Sequence, residues 1–414
     1  MGAACDRVFL TTVAPMASHS HAHPHSDRWF DFPLDSVGRR LAIAVGLLLV
    51  LTVVGIGVLW PSEENEVPQV LAGSGVERID VTVDSVEPAD CIGAPDSPIE
   101  CIEIAFGLPD GGVGSFILTP SVSTPVIEAG DRIVVADQGG IVEERFRYFF
   151  LDFQRERSLI LLVVLFAGAV LLLGRWQGLR SLIALALSFV VLVGFTLPAL
   201  LESGSPVWVA IVGSSAVAVI TLYLTHGVNH LTTVALVGSL ASLTVTGFFA
   251  WVFVEATSLT GLSDENGLFL ISANDGVDLP GVLLAGMIIG TIGVLDDVTV
   301  TQAAVVSELH DADPHMSRTR LYAGALRVGR DHIGSTTNTL VFAYAGAALP
   351  LLLLFTQAQL SLQTVLTSEI VAVEIVQALV GGLGLVSSVP ITTALAVWVV
   401  GSHDHGDPPA HAPS

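Results

Sequence analysis

The chain has 414 residues, of which 52% are hydrophobic and only 13% charged, and its mean hydropathy is +0.72. Soluble domains carry about 25% charged residues, so a plain cytosolic enzyme is excluded: no soluble core of this size hides so much apolar surface. The formal charge is −23 and all 16 cations are arginines, which argues against nucleic acid as a partner, since that contact needs basic patches. Three cysteines are too few for a disulfide scaffold and too scattered for a zinc site.

Residues 1–40 read as a polar, cytoplasmic, His-rich tail, with His19, His21, His23 and His25 in "HSHAHPH" and Met16 as an alternative start. Such a tract can gather zinc, nickel or copper weakly, or be a solvated low-complexity end. The apolar stretch 41–60 follows Arg39 and Arg40, and no small-residue cleavage site comes after it. It predicts an uncleaved membrane anchor rather than a removed signal peptide.

Residues 61–157 form a polar insert in which 19 acids face 6 arginines. Alternation in "VERIDVTVDSV", "CIEIAF", "GSFILT" and "GDRIVVAD" predicts short strands, hence a small β-barrel or sandwich of OB-like type. Cys91 and Cys101 lie in it. In an oxidising compartment they form either a disulfide or two small buried residues. A protein partner is conceivable for this domain, whereas its acidity disfavours oligonucleotides.

A helical crossing takes about 20 apolar residues. After the insert, 158–174, 181–201, 206–224, 231–254, 280–300, 339–356 and 371–400 meet that need, and a polar tail follows at 401–414. Arg175, Arg180, Arg318, Arg320, Arg327 and Arg330 fall in loops on one side, and the short loops 202–205, 255–279 and 357–370 hold none. The positive-inside rule then puts both termini in the cytoplasm and the insert outside. The fold expected is an all-α polytopic bundle of about eight transmembrane helices in a bacterial plasma membrane, carrying a small extracytoplasmic β domain. Lipid is its first partner.

Charges at membrane depth are costly and tend to face the bundle interior. Gly286, Gly290, Gly293, Asp297 and Thr301 recur at steps of four, three, four and four, which puts them on one helical stripe. Small residues admit a neighbouring helix, so Asp297 is expected to point inward, with Asp296 about 100° away. The acid pair suits a proton relay, or a cation held with Thr299, Thr301 and Gln302. The alternative is two aspartates meeting water at a span end.

A second cluster has Arg327, Arg330, Asp331 and His332 before the seventh span and Thr336, Thr337, Asn338 and Thr339 entering it. One reading is helix capping with positive-inside anchoring; the other sets Asn338 beside Asp297 with Arg330 as counter-charge. The last span contains Gly381, Gly382, Gly384, Ser387, Ser388 and Pro390 and is expected to be broken or kinked, as in transporter sites. His226 and His230, one turn apart, are weak metal candidates. The sequence leaves any cofactor unknown.

"GVLLAGMIIGTIGVLDDVTVTQAAVVSEL", "GRDHIGSTTNTLVFAYAGAALPLLLL" and "LGLVSSVPITTALAV" resemble the YibE/F-like family of multipass membrane proteins. The resemblance runs over about residues 75–400, including "GDRIVV" and "YFFLDFQRER". It implies a membrane architecture and supplies no residue roles. The family pattern has one aspartate where this chain has Asp296 and Asp297, which leaves open the carboxylate that matters.

Three functions compete. A transporter or permease of an ion or small solute would use the acid pair. An envelope scaffold or sensor would bind a partner through the β domain. An intramembrane aspartyl enzyme needs carboxylates from separate helices, and no Ser/His pair, zinc-protease motif or P-loop is present, so no enzyme is expected.

Overall fold

The computed structural model describes residues 30–31, 36–61, 77–91, 101–121, 124–139, 147–202, 205–263, 265–273 and 276–403. The histidines of the first tail, and His405 and His411 of the last, lie outside these residues. Strand β1 (Phe30–Asp31) precedes helix α1 (Ser36–Val58). Then come β2 (Glu77–Ala89), β3 (Cys101–Gly107), β4 (Val113–Leu118), β5 (Arg132–Asp137) and β6 (Tyr148–Phe153).

The five strands β2–β6 form one antiparallel sheet in the order β4-β3-β2-β5-β6. β2 is central, pairs with both β3 and β5, and shifts register between Val83 and Ser85. Irregularities of this kind bend and twist a strand, and the sheet curls so that β4 and β6 approach without pairing. It is a small, open half-barrel. Phe106 packs edge-on to Tyr148 at 5.4 Å and beside Phe116 at 6.0 Å. A Cβ on Gly114 would come 2.5 Å from the Phe106 ring, so this glycine lets the aromatic core close. Cys91 and Cys101 are joined by a disulfide that ties the end of β2 to the start of β3.

Two residues after β6, α2 (Glu156–Val191) begins, followed by a π-helical turn (Leu192–Thr196) and α3 (Leu197–Glu202). α2 is two limbs. Arg175 leaves helical geometry at φ 49°, ψ −125°. Gly178 lies against the carbonyl of Val170, which a straight helix would hold about 12 Å away. The chain turns back there.

The remaining elements are α4 (Pro206–His226), β7 (Val228–Asn229), α5 (His230–Ala256), α6 (Glu265–Ala273) and α7 (Leu279–Ala312). They are followed by α8 (Arg318–Ala347), α9 (Leu349–Gln357), α10 (Leu362–Thr367) and α11 (Glu369–His403). β7 pairs in parallel with β1. Among the described residues six helical stretches are long and apolar enough to cross a membrane, or seven if α8 and α9, bent by 59°, make one span. The molecule is a membrane protein.

α5, α7 and α11 form the centre of the bundle, with α4 against α7 and α8 against α7 and α11. Backbones meet closely: a Cβ on Gly238 of α5 would strike Thr392 of α11, and one on Gly384 of α11 would strike Thr246 of α5. Small residues do this work in membranes, where apolarity does not drive helices together.

Two helical expectations are corrected. α11 runs unbroken through Gly381, Gly382, Gly384 and Pro390; its glycines serve close packing, and Ser387 and Ser388 donate to their own helix at Gly384 O and Leu385 O. The break falls instead between α8 and α9, next to Pro350. α8 starts at Arg318, so Arg327, Arg330, Asp331 and His332 are helical and Thr336 opens no helix.

Candidate functional site

Polar side chains inside an apolar helix bundle are satisfied locally where possible. Most here are: Ser242 donates to Gly238 O, Thr246 to Ser242 O, Thr291 to Ile288 O and Thr393 to Val389 O. Exceptions among the described residues include Ser214, His332, Thr337 and Thr392, each with a buried polar atom lacking a partner, and Asp296 on α7. Its Oδ2 accepts a 2.8 Å hydrogen bond from the Thr221 hydroxyl of α4, while Oδ1 is buried with no hydrogen-bond partner. The Ser239 hydroxyl of α5 faces the same carboxyl group. Ser239 and Thr299 share a 2.7 Å hydrogen bond, and Thr299 donates back to Asp296 O at 3.1 Å. Three helices thus surround one carboxyl group with hydroxyls.

The glycine stripe points the other way. Gly286, Gly290, Gly293, Asp297 and Thr301 are all exposed on the bundle surface, and a Cβ at Gly286 or Gly293 would meet nothing within 4 Å. The expectation that Asp297 faces inward is therefore reversed: α5 and α11 pack on the face of α7 that carries Leu295, Val298, Thr299 and Gln302, all buried. At Gly290 the stripe meets a polar pair, Gln377 of α11 donating to the Tyr344 hydroxyl of α8 at 3.1 Å.

Gln302 is buried but not a ligand in waiting. Its Nε2 donates to Ala325 O of α8 at 3.0 Å and to Thr393 Oγ1 of α11 at 2.7 Å, so it clamps three helices. Gly329 of α8 makes room for it, since a Cβ there would lie 2.7 Å from Gln302 Oε1. Arg330, Asp331 and Asn338 are exposed on α8, and no hydrogen bond joins Asn338 to Asp297 among the described residues. Arg330 makes no ion pair there.

His226, at the end of α4, lies close enough to Asp297 to interact electrostatically. Among the described residues no group of three His, Cys, Asp or Glu side chains is placed to hold a metal ion, so His226 and His230 do not make a metal centre there. A cavity of about 380 Å³ between α5, α8 and α11, lined by Phe253, Val341, Leu379 and Leu383 among others, reaches neither aspartate.

Sequence reasoning missed Thr221 and Ser239. Each is one hydroxyl in a long apolar helix, a signal that many structural threonines and serines share.

The helical bundle and the half-barrel define a membrane protein with several long apolar helices. The chain belongs to the YibE/F-like protein family, whose sequence model matches residues 162–402. The match starts within α2, so the half-barrel lies outside it. No curated protein and no solved structure matches the chain.

Proposed function

We propose that the protein is a transporter or permease of an ion or small solute, built from eight membrane spans with both termini in the cytoplasm of a bacterial cell. The reversal at Arg175 supports eight by dividing the stretch 156–202 in two, and the one-sided short-loop arginines support the orientation. The reading is carried by Asp296, a carboxyl group held inside the bundle with one oxygen unpartnered. Groups of this kind are expensive in a membrane and mark ion or proton pathways. No chemical step on a substrate is assigned, and the acidic chain does not suit nucleic acid.

Purified protein in liposomes should then carry a solute or ion flux that Asp296→Asn lowers at least tenfold. Equal flux in the two proteins would remove Asp296 from the mechanism.

A second reading, an envelope scaffold or sensor, is favoured by the open half-barrel, whose β4 and β6 do not pair. Unpaired edges accept a partner strand. Under this reading, deleting residues 66–140 abolishes function while Asp296→Asn is tolerated.

A further inference from the structure

We infer that Asp296 is a proton-carrying site and not a metal-cation site, with its proton shared toward the Ser239 hydroxyl and exchanged through Asp297 and His226 on the bundle surface. The inference rests on the transport reading and names its coupling species.

An ionised carboxylate only accepts; a protonated one also donates. With Asp296 ionised, Oδ1 is a buried acceptor without a donor. A buried carboxyl group whose charged form lacks a partner costs less when it is neutral. The Ser239 hydroxyl faces it, bonded to Thr299 across 2.7 Å, while Thr299 donates to Asp296 O across 3.1 Å. Thr221 serves Oδ2 at 2.8 Å.

A metal cation fits worse. Calcium takes about six to eight oxygen ligands and magnesium a near-octahedral set. The layer around Asp296 offers its own carboxylate and the Thr221, Ser239 and Thr299 hydroxyls, two of which are bonded to each other. Among the described residues no three His, Cys, Asp or Glu side chains are placed to hold a metal ion.

The exit is adjacent. Asp297 follows Asp296 on α7 but sits on the bundle surface, and His226 of α4 interacts with it. The other titratable groups on the elements packed against α7 stand apart. Tyr223 of α4 is bonded to Thr233. On α8, Arg327, Arg330 and Asp331 are exposed and His332 is half-buried. His230 and Glu255 lie at the two ends of α5, and Glu369 and Glu374 near the start of α11. A proton leaving Asp296 for Asp297 changes no other charge in the core.

The test is infrared difference spectroscopy of the full chain in liposomes, from mildly acidic to mildly alkaline pH, with and without sodium, magnesium or calcium. A protonated-carboxyl band is expected that titrates with pH, ignores all three cations, disappears in Asp296→Asn and shifts in Ser239→Ala. If Asp296→Asn does not fold, the Ser239→Ala shift decides alone. A band that is missing at acidic pH, that a cation removes, or that Ser239→Ala leaves in place overturns the inference. Failure of the transport reading looks different: the band behaves as stated while no gradient drives flux.

Discussion

Thr221 and Asp296 stand 75 positions apart in sequence and share a 2.8 Å hydrogen bond that ties α4 to α7. The bond selects one carboxylate of an adjacent pair. Asp296 is drawn into the layer between α4, α5 and α7, and its neighbour Asp297 is left on the surface.

Removing that bond is expected to be felt in the bundle. Thr221→Val keeps the shape and deletes the donor, leaving Asp296 with a second bare oxygen. The expected loss is about 1–3 kcal/mol, read as a lowered unfolding midpoint in detergent. Asp297→Asn should leave the midpoint unchanged. In a double-mutant cycle with Asp296→Asn, the two losses should fail to add; additive losses would mean that the bond does not form.

The glycines divide into two classes. Gly384→Val places a side chain into Thr246 and should destabilise the α5–α11 contact by about 1–3 kcal/mol, the usual cost of overpacking. Gly293→Ala meets open space and should be neutral or mildly stabilising. Equal damage from both would show that the surface stripe is covered by something tightly packed.

In the half-barrel, Arg147 grips Asp137 with two 2.9 Å hydrogen bonds, and Gly139 N adds a third at 2.8 Å. The Arg147 hydrogen bonds, chiefly, hold the Asp137 carboxyl below the usual aspartate range, against the opposing effect of burial. A carboxyl group depressed in the folded state stabilises fully above its unfolded pKa, about 3.9, and loses that contribution as pH falls through the folded value. Asp137→Asn should therefore lower half-barrel stability near neutral pH and by progressively less below about pH 4. Circular dichroism of the sheet signal against pH measures it, and a pH-independent difference would contradict it.

The Cys91–Cys101 disulfide closes a short loop whose ends are ten positions apart. Its loss is expected to cost the sheet about 2–4 kcal/mol. After reduction of intact cells, a membrane-impermeant maleimide should label the partly exposed Cys91 if the half-barrel is external. Labelling only after lysis would invert the proposed orientation.

Much of this protein was legible as sequence. Long apolar runs exist because a bilayer demands about 20 such residues per crossing, and the helices fall where those runs do. Strand alternation located β2 to β5, since "VERIDVTVDSV", "CIEIAF", "GSFILT" and "GDRIVVAD" overlap them. Less legible was α8, whose arginines and His332 disguise a helix that begins well before the apolar run at 339. The glycines and Pro390 of α11 read as a break because their packing partners, Thr246 and Thr291, lie on other helices.

The opening figures of 52% hydrophobic and 13% charged residues thus determined the membrane class, and periodicity determined that Asp296 and Asp297 lie on different faces of α7. Which face is inside was decided only by tertiary structure. In water, apolar residues mark the buried side of a helix. In a bilayer the lipid-facing side is apolar too, so a stripe of glycines ending in an aspartate reads equally as interior or surface. The placement of Thr221, Ser239 and Thr299 around Asp296, brought together from three helices, settles it.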